Sequence, residues 1–515
     1  MMLFVCPAAS GNKKYLSQGK SEYGPLNVYP AAGAVNACTD GELMITFDNA
    51  PQLINGGKII IFDAESGEEI DRIMFAGERQ AALGNNNNDL SVGSQLARVE
   101  GGSVFITPHF DKLKYGRMYS IVIPPGAVTA ELNGRPFDGL SAGWVFTTRA
   151  APVLNESTPI SVNASQNSGA DFRTVYGALA AIAAKSGSWT LNVAPGTYIE
   201  LVHYAASVAN QTITINGTGS AQFGADVVIR YTNNESMNGS AFGSGATVRR
   251  PSFYFSGANL VLKNITLKNT SRRTPGTDSG QAETLYFDGN NKTLAAYNCS
   301  FISHQDTIQT RGKNWLYRCY IEGDTDYIWG TADACLLEEC ELISVFDANK
   351  SNRDAVLLVA RTGSNDPSVP VVPKGYVIFN SKVTTQNNMV TYFARNAGGG
   401  AAFYDQCAVI NTAFTNEGVG RIAPAVWGGG YSSATRIDGA AEHAGWKLCG
   451  NTVDGVPQNT AVLPDDTSVI PQELYDLEYS ERRVILNRVY QKAGGYIDAE
   501  SVWDISALET AFNAR

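Results

Sequence analysis

HQDTIQTRGKNWLYRCYIEGDTDYIWG, residues 304–330, places Asp306 and Asp326 20 residues apart, each followed by apolar, strand-like residues. A repetitive β-structure whose turn takes about 20 residues sets two such carboxylates side by side on adjacent turns. Neighbouring carboxyl groups do not ionise independently, so one can carry a proton while the other stays charged. An arbitrary pair of aspartates is more often two solvated turn residues, so the surrounding sequence has to decide.

Outward from this stretch the same period recurs. YNCSF (297–301), YRCYI (317–321) and EECEL (338–342) align Asn298, Arg318 and Glu339 at separations of 20 and 21 residues. Short alternating apolar runs begin near Thr190 and continue to about residue 410, with Asn or Gly between them. This pattern predicts a right-handed parallel β-helix whose inward rows of Val, Ile, Leu and Cys stack from turn to turn. Cys299, Cys319, Cys340 and Cys407 read as small buried apolar residues of those rows. Eight cysteines in 515 residues, with no paired C-x-x-C spacing, argue against a disulfide framework or a zinc site.

A chain of 515 residues exceeds one ordinary core, so several units are expected. Residues 1–24 are assigned to a residual export segment and linker. The run at 3–6 is similar to a bacterial lipoprotein box ending at Cys6, although Val5 stands where a small residue is usual. In residues 25–150, ELMITFDNA, KIIIFDAESGEEI, SVFITPHF, YSIVIPPGAV and GWVFTTRA form short strands between Gly, Asn and Pro turns, which predicts a β-sandwich. Residues 151–462 hold the β-helix, with an Asp-led helix at 168–186 over one end. Residues 463–515, mixed in charge and helical in spacing, are expected to pack against its flank. The expected fold class is therefore all-β. The formal net charge of −10 opposes nucleic acid and anionic membranes as partners, and no segment approaches a transmembrane span.

GTYIE (196–200), GQAETL (280–285), HQDTI (304–308), TDYIWG (325–330) and YFAR (392–395) resemble, in order and spacing, the signature segments of the pectin methylesterase family. There they read Gly-x-Tyr-x-Glu, Gln-Ala-Val-Ala-Leu, Gln-Asp-Thr-Leu, Asp-Phe-Ile-Phe-Gly and Leu-Gly-Arg-Pro-Trp. MITFDNAP, MYSIVIPPGAV and WVFTT further resemble bacterial Ig-like domains. The first resemblance implies hydrolysis of methyl esters of polygalacturonate, with pectin as partner and neither metal nor cofactor. It implies Asp326 as nucleophile, held by Arg395, whose planar fork favours the charged form. Asp306 would be the acid that becomes the base, and Gln281 and Gln305 would donate to the oxyanion. Thr325, Tyr327, Trp329 and Tyr198 are expected on the substrate surface. Arg361, in LLVARTG, is a rival for the catalytic arginine, and His304 adjoins the site without a required role.

The sequence departs from the family pattern at Asn396 and Ala397, where Pro and Trp are usual, and at Tyr327 and Trp329, where both are Phe. An esterase or thioesterase acting on a non-pectin ester therefore remains a competing reading. A pectate lyase using nearby Asp324 and Asp333, or a non-catalytic carbohydrate-binding protein, fits less well. An exported monomer is expected: periplasmic, secreted or surface-bound.

Overall fold

Leu262, Ala296, Leu316, Leu337, Ile378, Val409 and Leu448 lie in one continuous row, each in register with the next in parallel strands. All seven are buried, and each such large aliphatic contributes about 1.5–3 kcal/mol relative to exposure. Rows of this kind arise because β-side chains alternate in direction while the backbone climbs one strand spacing per turn. In this computed structural model the described residues are 20–81, 91–238, 246–277, 280–362, 371–395, 406–422, 446–461, 463, 467–491, 495–498 and 502–513. They divide into two units, one within 20–81, 91–155 and 162–177, the other within 156–161 and 178–513.

The first unit is built on two antiparallel four-stranded sheets. One contains Val28–Tyr29, Leu43–Thr46, Ser103–Ile106 and Ala97–Glu100. The other contains Val145–Thr147, Met118–Val122, Lys58–Asp63 and Glu69–Met74. Ile45, Val104 and Ile106 from one sheet meet Ile59, Ile61, Ile121 and Phe146 from the other in a shared core with Trp144. The two packed sheets make a β-sandwich.

The second unit is a parallel β-helix. Among the described residues its longest sheet has 17 strands and a second sheet has 10. The strands Leu285–Asp288, Ile308–Tyr317, Ile328–Glu338, Asp354–Ala360 and Val390–Ala394 follow one another up the first sheet. The aligned residues Asn298, Arg318 and Glu339 are corners in left-handed backbone, with φ of 52°, 51° and 50°. The same corner recurs at Asn264, Asn380 and Asn411. Turns of 20 and 21 residues are confined to 298–339, and the step from Asn380 to Asn411 takes 31. Excursions between strands lengthen the outer turns without disturbing the strand register.

Cys299, Cys319 and Cys340 sit just after these corners in a single buried row, each thiol donating to a backbone carbonyl. Cys407 lies elsewhere, in the strand Cys407–Ile410 of the larger sheet. One outer face of that sheet is also buried. Ala295, Trp315, Leu336 and Val377 meet Leu474, Ile485, Ile505 and Phe512 of the C-terminal region. That region is not purely helical: beside helices Gln472–Glu478, Arg482–Asn487 and Ser506–Asn513, a hairpin of Arg488–Gln491 and Gly495–Asp498 pairs with Val371–Val372. Burial on both faces explains why these strands read as near-continuous apolar runs.

The helix expected over 168–186 is shorter, Val175–Ile182. Thr174 caps it, its hydroxyl oxygen accepting from the Gly177 N–H at 2.9 Å. Asp171, the acid in the expected start, precedes the helix. No helix among the described residues is long and apolar enough to cross a membrane.

Candidate active site

Gln281, Gln305 and Thr325 are stacked by parallel bridges on three successive turns. The next residue on each turn is Ala282, Asp306 and Asp326, so the two carboxylates occupy equivalent places, with a small side chain on the turn before. Asp306 and Asp326 have φ of 60° and 51°. Asp tolerates this left-handed region better than most residues. The corner is pinned by the Asp306 N–H, which donates to the Thr325 carbonyl at 2.9 Å.

Each carboxylate meets an arginine, in a different way. Arg395 follows the strand Val390–Ala394 and grips Asp326 with two donors, Nε to Oδ1 at 2.7 Å and Nη2 to Oδ2. This fork orients both oxygens of Asp326. Asp306 receives a single bond to Oδ2, 3.1 Å from Nη2 of Arg250. Burial pushes the Asp306 carboxyl well above the usual range; Glu283 and Asp326 add to this, and Arg250 and Arg395 oppose it. Asp306 therefore holds a proton at a pH where an exposed aspartate has lost it.

The two amides are oriented by buried guanidinium groups. Arg250 Nη1 donates to Gln281 Oε1 at 2.6 Å. Arg273 Nη2 donates to Gln305 Oε1 at 3.4 Å and to Thr325 Oγ1 at 3.2 Å. A guanidinium only donates, so it selects the amide orientation in which oxygen faces it. Both Nε2 groups are then left as donors, and neither has an acceptor among the described residues.

Arg250 and Arg273 were not found by sequence reasoning, because nothing local marks an arginine that acts on a turn 31 or 32 residues away. Arg273 lies between Asp324 and Asp347, with Nη2 on Asp324 Oδ1 at 2.6 Å and Nη1 on Asp347 at 2.8 Å. His304 approaches the same two carboxylates at 3.9 and 3.8 Å. His304, Asp324 and Asp347 could by geometry surround an ion, but Arg273 already forms ion pairs with both acids there. Asp333 interacts with Lys313 instead.

Two expected substrate contacts are corrected. Tyr327 is wholly buried and its hydroxyl is 3.2 Å from Ser344 Oγ. It follows the left-handed corner at Asp326 and precedes the strand Ile328–Glu338, and the chain enters the core there. Tyr198 is buried too, its hydroxyl donating to the Ala194 carbonyl at 2.8 Å. Trp329, in register with Gln309, is buried as well. Its ring is flanked by the guanidinium groups of Arg361 at 5.1 Å and Arg250 at 5.8 Å. Arg361 thus lies over Trp329, while Arg395 holds Asp326. Asn396 and Ala397 fall outside the described residues.

Fold and site together define a β-helical protein carrying paired carboxylates beside paired amides. Residues 161–401 match the family model described as Pectinesterase. It is 27% identical to Pectinesterase 2 of Citrus sinensis over 51% of this chain and 47% of that protein. To Probable pectinesterase 49 of Arabidopsis thaliana it is 32% identical, over 32% of this chain and 42% of that one. The chain thus spans about half the length of the curated relatives it matches. A solved pectin methylesterase from Erwinia chrysanthemi superposes with a TM-score of 0.50 at 20% identity, covering 64% of this chain and 97% of that one. A pectin methylesterase in complex with a hexasaccharide gives the same values. These likenesses establish the shared fold.

Proposed function

We propose that this protein hydrolyses methyl esters of polygalacturonate, releasing methanol. The observation that carries the reading is the joint placement of Asp306, Asp326 and the two arginine-oriented amides at one corner of the β-helix. Asp326, with both oxygens positioned by Arg395, attacks the ester carbonyl carbon. The oxyanion accepts hydrogen bonds from Nε2 of Gln281 and of Gln305. As the tetrahedral species collapses, Asp306 gives its proton to the departing methoxyl oxygen, and an acyl-enzyme remains on Asp326. Asp306, now charged, takes a proton from water as that water attacks the acyl carbon, which frees the uronate carboxylate and restores both aspartates.

The match of residues 161–401 to the Pectinesterase family model and the retained acid pair support this reading. The two-sheet unit at 25–150 is assigned as an Ig-like spacer, and export to the periplasm, cell surface or medium belongs to the same proposal. A second reading, hydrolysis of a non-pectin ester or thioester, is favoured by one observation. The Trp329 ring is already packed by Arg361 and Arg250, so its face is less open to a sugar ring. Methanol release from highly methylated homogalacturonan, run beside aryl ester and thioester substrates, separates the two. Turnover of the small substrates with none on the polysaccharide would overturn the pectin assignment.

A further inference from the structure

Behind Asp306 lies an ion pair that the hydrolytic steps above do not use. Arg250 and Glu283 are both buried, Glu283 completely. The Glu283 carboxylate accepts from Arg250 Nε at 2.8 Å and from Nη2 at 2.6 Å. The same guanidinium reaches Gln281 Oε1 at 2.6 Å, Glu235 Oε2 at 3.1 Å and Asp306 Oδ2 at 3.1 Å. One cation therefore joins the amide, the acid and a buried carboxylate. In GQAETL, Glu283 stands where the family segment Gln-Ala-Val-Ala-Leu has its Val. The carboxylate is thus a departure of this chain, and Arg250 is the group that accommodates it.

We propose that Arg250 and Glu283 act as one positioning unit, Arg250 fixing the Gln281 amide with its N–H groups toward the ester and Glu283 offsetting the Arg250 charge so that Asp306 remains a proton donor. The proposal rests on the reading of Asp306 as acid and Gln281 as oxyanion donor. The charged groups facing Asp306 are Glu283, Arg250, Asp326 and Arg395, and Glu235 touches the far side of Arg250. The two cations facing Asp306 are already matched by Glu283 and Asp326, and Glu235 is a third anion on Arg250, so an ionised Asp306 would be a buried charge with no cation left to compensate it. Burial is the main cause that holds the Asp306 proton, and Glu283 is the next. Take Glu283 away, and the Arg250 charge is free to stabilise ionised Asp306. The acid would then be lost at lower pH.

The test is Glu283→Gln, which keeps shape and removes charge. Two properties are followed against pH: kcat/KM for methyl ester hydrolysis, and the protonated-carboxyl infrared band of Asp306, identified by difference from Asp306→Asn. The alkaline limb and the loss of the band should both move down by about one pH unit or more, with KM on the acid side little changed. A second variant, Arg250→Met with Glu283→Val, removes both charges. Its limb should return toward wild type while kcat stays at least about tenfold low, because Gln281 is no longer held. A limb and band in Glu283→Gln that coincide with wild type would overturn the inference, as would wild-type kcat in the double variant. The infrared band needs no substrate. An inactive wild-type protein would therefore defeat the esterase reading, and the band would still judge the ion pair.

Discussion

Two corners of the same β-helix share one backbone conformation and put it to different use. At one corner, Asn264, Asn298, Arg318, Glu339, Asn380 and Asn411 have φ between 49° and 53°. Their side chains largely satisfy one another: Asn298 Nδ2 donates to Asn264 Oδ1 at 2.9 Å, and Arg318 pairs with Glu339 at 2.8 Å. At the other corner, Asp306 and Asp326 have φ of 60° and 51°, but their carboxylates face arginines from other turns. The backbone turn is common to both corners, so it cannot be the source of chemistry. What distinguishes the second corner is the set of buried guanidinium groups brought to it.

The largest expected effect falls on the arginine-faced corner. Asp306→Asn should lower kcat by orders of magnitude, since an amide neither gives nor accepts the proton in turnover. The same substitution should stabilise the fold in a pH-dependent way. Because the folded-state proton affinity of Asp306 is raised, its contribution is fully present below the unfolded carboxylate value and is lost as pH rises through the folded one. Melting curves of Asp306→Asn and wild type should therefore converge near pH 4 and separate toward higher pH, at about 1.4 kcal/mol per unit between the two values. Parallel curves at all pH values would contradict the raised proton affinity.

Next in size are the amides. Gln281→Ala or Gln305→Ala should cost about 2–4 kcal/mol of barrier, a fall in kcat of about 30- to 10³-fold, with KM changed far less. A rise in KM with kcat unchanged would point to uniform binding of the ester instead.

The smallest effect belongs to the self-satisfied corner. Arg318 is a long side chain in left-handed backbone on an exposed edge, and its ion pair with Glu339 is worth little. Arg318→Asn should raise stability by about 0.5–1 kcal/mol and leave hydrolysis unchanged. A drop in activity would show that the two corners are coupled.

Much of this contrast was legible in the sequence. The 20- and 21-residue steps between Asn298, Arg318 and Glu339 marked the structural corner, and the Asp306–Asp326 step marked the other. Both rest on local spacing, which a repeating backbone conserves. The turn length was legible only there, because excursions elsewhere carry no periodic signal. Arg250 and Arg273 escaped notice because their partners are distant in sequence and no pattern fixes which buried cation meets which acid. Glu283 did leave a trace, as a charge inside an apolar signature segment. Tyr327 was misplaced by proximity: it leaves the left-handed corner at Asp326 before the strand Ile328–Glu338 begins, so its nearness in sequence to Asp326 did not fix its face.

The most direct measurement of the central claim is methanol release from highly methylated homogalacturonan by wild type and Asp326→Asn, with both confirmed folded by their melting. Asp326 holds the place of the nucleophile, and an amide there cannot form the acyl-enzyme. The account predicts release by the wild type and a loss of at least about 10³-fold in the variant. Turnover in Asp326→Asn above a few per cent of wild type would contradict it.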